Sequence, residues 1–91
     1  MKKYLLLITT DKPFTHKTHP NLFEFLAAKS RSIRISDDAF CFEQEEGITE
    51  TYAQLEQHLK KNDELALFEI AGVRWGTGRP DFDTRMRELF S

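Results

Sequence analysis

Ile33-Arg34-Ile35-Ser36-Asp37-Asp38-Ala39-Phe40-Cys41-Phe42 is the stretch that decides the fold. Ile33 and Ile35 alternate with Arg34, Phe40 and Phe42 alternate with Cys41 and Glu43, and Asp37-Asp38 supplies turn chemistry between the two runs. The reading is a β-hairpin. Helical spacing stands on either side of it. Upstream, Leu22, Phe23, Leu26 and Ala27 form an apolar stripe from about Pro20 to Ala28, with proline in the first turn and Phe25 off the stripe. Downstream, Ile48, Tyr52, Leu55 and Leu59 repeat at intervals of four, three and four, opposite Glu50, Gln54, Gln57, Lys60 and Lys61. Thr49 is the expected N-cap of that second helix, and Asn62-Asp63 ends it.

Two more strands flank this group. Tyr4 to Ile8 is apolar throughout, which predicts an interior strand covered on both faces. Leu65 to Ile70 is apolar on both faces and is expected beside it. The order strand, helix, strand, strand, helix, strand is the split βαβ pattern, so the expected fold is α+β, a ferredoxin-like βαββαβ sandwich with both helices on one face of an antiparallel sheet. A core over residues 3–72 is followed by a C-terminal appendage, residues 73–91. In the appendage, a glycine-rich strand or loop leads to a helix capped by Asp81 or Asp83, with Phe82, Met86, Leu89 and Phe90 as its stripe. Such a short amphipathic helix is marginal alone and must dock, on the uncovered sheet face or on a partner.

Ninety-one residues suit a single domain, and 40% hydrophobic with 31% charged residues is a globular composition. Eight phenylalanines supply a core or a subunit interface. Cys41 is the sole cysteine, so an intramolecular disulfide is excluded and a reducing, cytoplasmic setting is expected. The run Leu5-Leu6-Leu7-Ile8 is too short for a signal-peptide core or a membrane span, and no membrane partner is expected. A net charge of −2 offers no bulk basicity, so contact with nucleic acid has to come from a local patch or from a dimer that pools two.

Asp11 ends the first strand, where a carboxylate can help to hold a divalent cation or simply build the turn before Lys12-Pro13. His16 and His19 in the following loop have the spacing of a metal-binding or proton-transferring pair; the other reading is a solvated loop pair. His58 reads as structural. Lys12, His16, Lys17, Lys29, Arg31 and Arg34 concentrate positive charge between residues 12 and 34, while 37–50 is acidic. The basic residues are either a phosphate-contacting patch or a solvated face. Trp75 between Arg74 and Arg79 can stack on a base, anchor an interface or close the core. Gly76-Thr77-Gly78 lacks the context of a phosphate-cradling loop, and Cys41 reads as a small packing residue.

Together, the first strand ending in Asp11, the segment Leu22 to Leu26, the hairpin, and Leu55-x3-Leu59-x2-Asn62-Asp63-x-Leu65-x-Leu67-Phe68-x-Ile70-x-Gly72 resemble the Cas-two-like group of proteins. That group includes the small CRISPR adaptation subunit and the virulence-associated protein D-like toxins, and the resemblance spans residues 3–76. It implies a homodimer with facing sheets and Asp11 at the dimer axis. The implied activity is metal-dependent endonuclease cleavage, with Asp11 as catalytic residue and ligand of a divalent metal such as magnesium, or non-catalytic binding of DNA or RNA. Lys12, Lys17, Arg31, Arg34, Arg74, Trp75 and Arg79 are the expected nucleic-acid contacts. The group reads Tyr-Asp where this chain has Thr10-Asp11, and the arginine-rich helix start is absent. Val73 to Trp75 stands where the group's late strand crosses to the partner subunit. The acidic stretch and the phenylalanines suit a second class of function: a non-enzymatic protein-interaction module, such as a phage or mobile-element inhibitor or the antitoxin-like subunit of a toxin-antitoxin pair.

Overall fold

The computed structural model describes residues 1–11, 13–29, 31–76 and 80–90. The chain runs β1 (Lys2–Thr9), α1 (Pro20–Ala27), β2 (Ser32–Ser36), β3 (Ala39–Gln44), α2 (Ile48–Glu56), β4 (Glu64–Glu69) and α3 (Pro80–Phe90). It is a small α+β protein whose antiparallel sheet has the strand order β2-β3-β1-β4. The Ile33 to Phe42 hairpin forms as β2 and β3, with a bulge between Arg34 and Ser36. β1 is central as expected, with Leu5 opposite Cys41 on one side and Phe68 on the other.

Period-two alternation sorts the strands' side chains onto two faces. On one, Tyr4, Leu6, Ile8, Phe40 and Phe42 meet Leu22 and Leu26 of α1 and Leu55 of α2, with Phe14 from the β1–α1 loop. Phe25, off the α1 stripe, joins this core through an edge contact with Phe42 and a tilted one with His58. On the other, Ile33 and Cys41 pack against Met86 and Leu89 of α3, with Ile35, Phe82 and Phe90 around them. The C-terminal helix thus docks on the sheet face left open by α1 and α2. Arg31 Nη1 donates to the Glu88 carbonyl at 2.6 Å and Arg85 Nη2 to the Ser32 carbonyl at 3.1 Å, clasping α3 to β2.

Two expectations need correction. β1 is covered only in part on its second face: Leu5 packs against the Ile33, Cys41, Met86 and Leu89 cluster, whereas Leu7 is 40% exposed. The strand buried at every position is β3. The N-cap of α2 is Gly47, not Thr49, and Ile48 is 40% exposed. The helix is turned so that Thr51 and Leu55 face inward, where Gln44 Nε2 donates to Thr51 Oγ1 at 2.7 Å. After β4, Val73 to Trp75 takes the loop form of the expected strand or loop. Trp75 folds back on α3, its indole N–H donating to Asp83 at 2.9 Å and its ring 6.4 Å from that of Phe90.

Candidate functional site

Asp11 lies just beyond β1, where the loop leading to α1 meets the turn leading to β4. Local hydrogen bonding explains the loop's shape. The Thr18 hydroxyl accepts from the Thr15 N–H at 3.0 Å and lies 3.0 Å from both the Pro13 and Thr15 carbonyl oxygens. This compact turn delivers His19 to the start of α1 with its ring inside the protein, against Phe14.

The turn before β4 is built to receive it. Asn62 adopts a left-handed φ of 72°, a conformation asparagine tolerates better than most residues. That reversal lets Asp63 accept the Lys60 N–H at 2.8 Å. The same carboxylate oxygen lies 2.8 Å from His19 Nε2, both side chains being almost wholly buried. A carboxylate can only accept, so the shared proton sits on Nε2, while Nδ1 is engaged by Thr18 Oγ1 at 2.9 Å. Two more contacts stitch loop to turn: Asn62 Nδ2 donates to Asp11 Oδ2 at 3.1 Å, and the Lys60 ammonium donates to the Thr18 carbonyl.

Above the His19–Asp63 pair opens a cleft of about 380 Å³ lined by Asp11, Lys17, Thr18, His19, Lys60, Lys61 and Asp63. Lys17 and Lys61 are exposed. On the other side of Asp11 lies a second hollow of about 500 Å³, bounded by Arg34, Asp37 and Asp38 among others. Asp11 is therefore a ridge between a lysine-rich cleft and an acidic one.

The expected basic patch is divided by the fold. Lys17 is in the cleft, while Lys12 and Arg79 lie outside the described residues. Arg34 is spent on structure: its guanidinium donates to the carbonyls of Phe14, Ser36 and Asp37 and lies over the rings of Phe14, Phe23 and Phe40. Arg31 sits at the opposite end of the sheet, near Glu43 and α3. Arg74 and Trp75 line a hollow with Asp83 and Arg87, remote from Asp11. His16 is exposed at the edge of Phe23, whereas both His19 nitrogens are engaged, so the two histidines do not share a site. Burial pushes the Cys41 thiol up to about 11, so it is protonated at neutral pH and serves packing.

Lys60, Lys61 and Asp63 join the cleft although the sequence marks them only as a helix end. The paired lysines ahead of Asn62-Asp63 are the one sequence signal for them. Among the described residues, Asp11 is the one carboxylate open to the cleft, Asp63 being taken by His19, and three lysines line the same space. What the cleft can do is hold an anion between lysines. No protein-family model matches the chain, and no curated protein matches it as a relative.

Proposed function

We propose that this chain binds nucleic acid through its phosphate backbone, with Lys17, Lys60 and Lys61 as the contacts. The observation that carries the reading is that these three lysines line one cleft, next to the start of α1, whose N-terminal dipole end adds to the positive field. The buried His19–Asp63 pair is the scaffold: it fixes the loop bearing Lys17 against the turn bearing Lys60 and Lys61. The strand order, with α1 and α2 on one face, supports a ferredoxin-like sandwich of the Cas-two-like kind, and within that reading the chain holds nucleic acid without cutting it. Asp37 and Asp38 beyond Asp11 repel phosphate, so the footprint is short and ends at Asp11.

Fluorescence anisotropy with a labelled single-stranded oligonucleotide tests the proposal. Three lysine contacts predict a slope of about −2 in log affinity against log salt. Charge reversal of Lys17 and Lys61 together abolishes binding, and Asp11→Asn strengthens it by removing a repelling charge. Weaker binding by Asp11→Asn, or metal-dependent cleavage lost in that variant, would replace this reading with the catalytic one.

A further inference from the structure

β4 is an edge strand whose outer side pairs with no strand among the described residues. The direction of its backbone groups follows from the ladder. Ile70 N–H donates to the Lys3 carbonyl at 2.8 Å, so Ile70, and with it Phe68, Ala66 and Glu64, turn their N–H and C=O groups toward β1. The groups of Leu65, Leu67 and Glu69 point outward. Edge strands are usually blunted by lysine, proline, a bulge or a covering element. Leu65-Ala66-Leu67-Phe68 has no lysine or proline, and its register with β1 runs without a break.

Apolar side chains stand on both sides of this edge. Toward α2, a groove of about 460 Å³ is lined by Ile48, Tyr52 and Leu67, and Phe68 and Ala66 reach it from the opposite face. Phe68 is 50% exposed and Ile48 40%. A strand laid alongside β4 would cover both, with alternate side chains toward Ile48 and Tyr52 and toward Phe68 and Leu7.

Charge identifies the occupant. Between Glu45 and Glu69 stand seven acidic residues against two bases, Lys60 and Lys61, which belong to the cleft at the far end. Glu45 and Glu46 lead into α2, Glu50 stands in its first turn, and Glu64 and Glu69 bracket β4; all are exposed. A second copy would bring the same acidic surround to this edge: antiparallel pairing of β4 with itself about Leu67 sets Glu64 of one copy and Glu69 of the other one position apart at both ends, so like charge meets like. We propose that the outer edge of β4 takes up an extended segment of a partner protein as a fifth strand, one in which Lys or Arg alternates with apolar residues. This surface is separate from the lysine cleft and does not depend on it.

The test is titration of the whole, isotopically labelled chain with the synthetic heptapeptide Lys-Val-Arg-Phe-Lys-Val-Arg, and with its counterpart carrying Glu at the basic positions. The expected result is saturable amide shifts centred on Leu65, Leu67 and Glu69, slowed exchange of those amides, and at least tenfold tighter binding of the basic peptide. Ala66→Lys, at an exposed position, weakens it at least tenfold; Phe68→Lys does the same and serves if the first variant folds poorly. Equal affinity for both peptides, shifts centred on Lys17 and Lys61, no binding, or full affinity in a folded variant would overturn the proposal. So would concentration-dependent protection of the β4 amides in the free chain, which assigns the edge to a second copy.

Discussion

Under α1 and α2 the sheet presents Tyr4, Leu6, Ile8 and Phe42, none more than 1% exposed, whereas under α3 it grades from buried Ile33 and Cys41 to Leu7 and Phe68, 40% and 50% exposed. The first face is closed by two helices that each connect strands of the sheet, so covering it is part of making the sheet. The second is closed by one helix of 11 residues attached only through the connector after β4. The cluster under α3 takes in Leu5 of β1 and leaves Leu7 and Phe68 open. Stability concentrates on the first face, and openness on the β1–β4 side of the second.

The sharpest way to break this contrast is to empty each face in turn. Leu6→Ala, in the first core, is expected to cost about 3 kcal/mol in urea unfolding, because a fully enclosed site cannot collapse around the lost atoms. Leu89→Ala, equally buried but on α3, is expected to cost about 2 kcal/mol. Its hydrogen-exchange signature differs, since undocking of α3 speeds the amides of 80–90 while those of β1 stay protected. Equal exchange in both variants would show that the two faces unfold as one unit.

Cys41 probes the second face by pH. Burial raises its thiol from 9.0 to about 11. The unfolded chain therefore loses this proton first as pH rises. The contribution is complete below pH 9 and falls between 9 and 11, by about 1.4 kcal/mol per unit at most. Cys41→Ala is less stable at neutral pH, but its stability declines less steeply over that interval; parallel curves would mean that the second face admits water at Cys41. The smallest effect is expected at Leu7, where Leu7→Ser should change stability by about 0.5 kcal/mol or less, since its side chain already meets solvent. A loss near that of Leu6→Ala would mean that the open part of the face is covered in solution.

Much of this architecture is legible in the residues. The Asp37-Asp38 turn between alternating runs, the stripe through Leu22 and Leu26, and the stripe of α3 are periodic patterns within a few residues of one another, which local geometry fixes. The rotation of α2 was hidden because Thr51 is drawn inward by Gln44, a polar contact that apolar spacing cannot report. The site was legible in half. Asp11 and Lys17 stand out as a carboxylate and a base after a strand, but Asp63 reads as a helix stop until the fold brings it to His19, 44 residues away. Arg34 shows the opposite failure: a base in a positively charged segment looks available for phosphate, and only the three carbonyls around it reveal that it is spoken for.

The central place of β1 bears on how the chain emerges during synthesis. β1 is made before both of its neighbours, yet pairs with none of the residues that immediately follow it; its partners are 39–44 and 64–69. The hairpin of β2 and β3 can form as soon as both strands are out, while Leu5-Leu6-Leu7-Ile8 waits for β3 and then for β4. For that interval an apolar strand with two unpaired edges is exposed in a nascent chain, which is the form most prone to wrong association. Arrest of synthesis before β3 would therefore leave β1 with both edges unpaired and arrest between β3 and β4 with one, so chaperone crosslinking should be highest before residues 39–44 leave the ribosome, lower after they pair, and lowest once residues 64–69 are out.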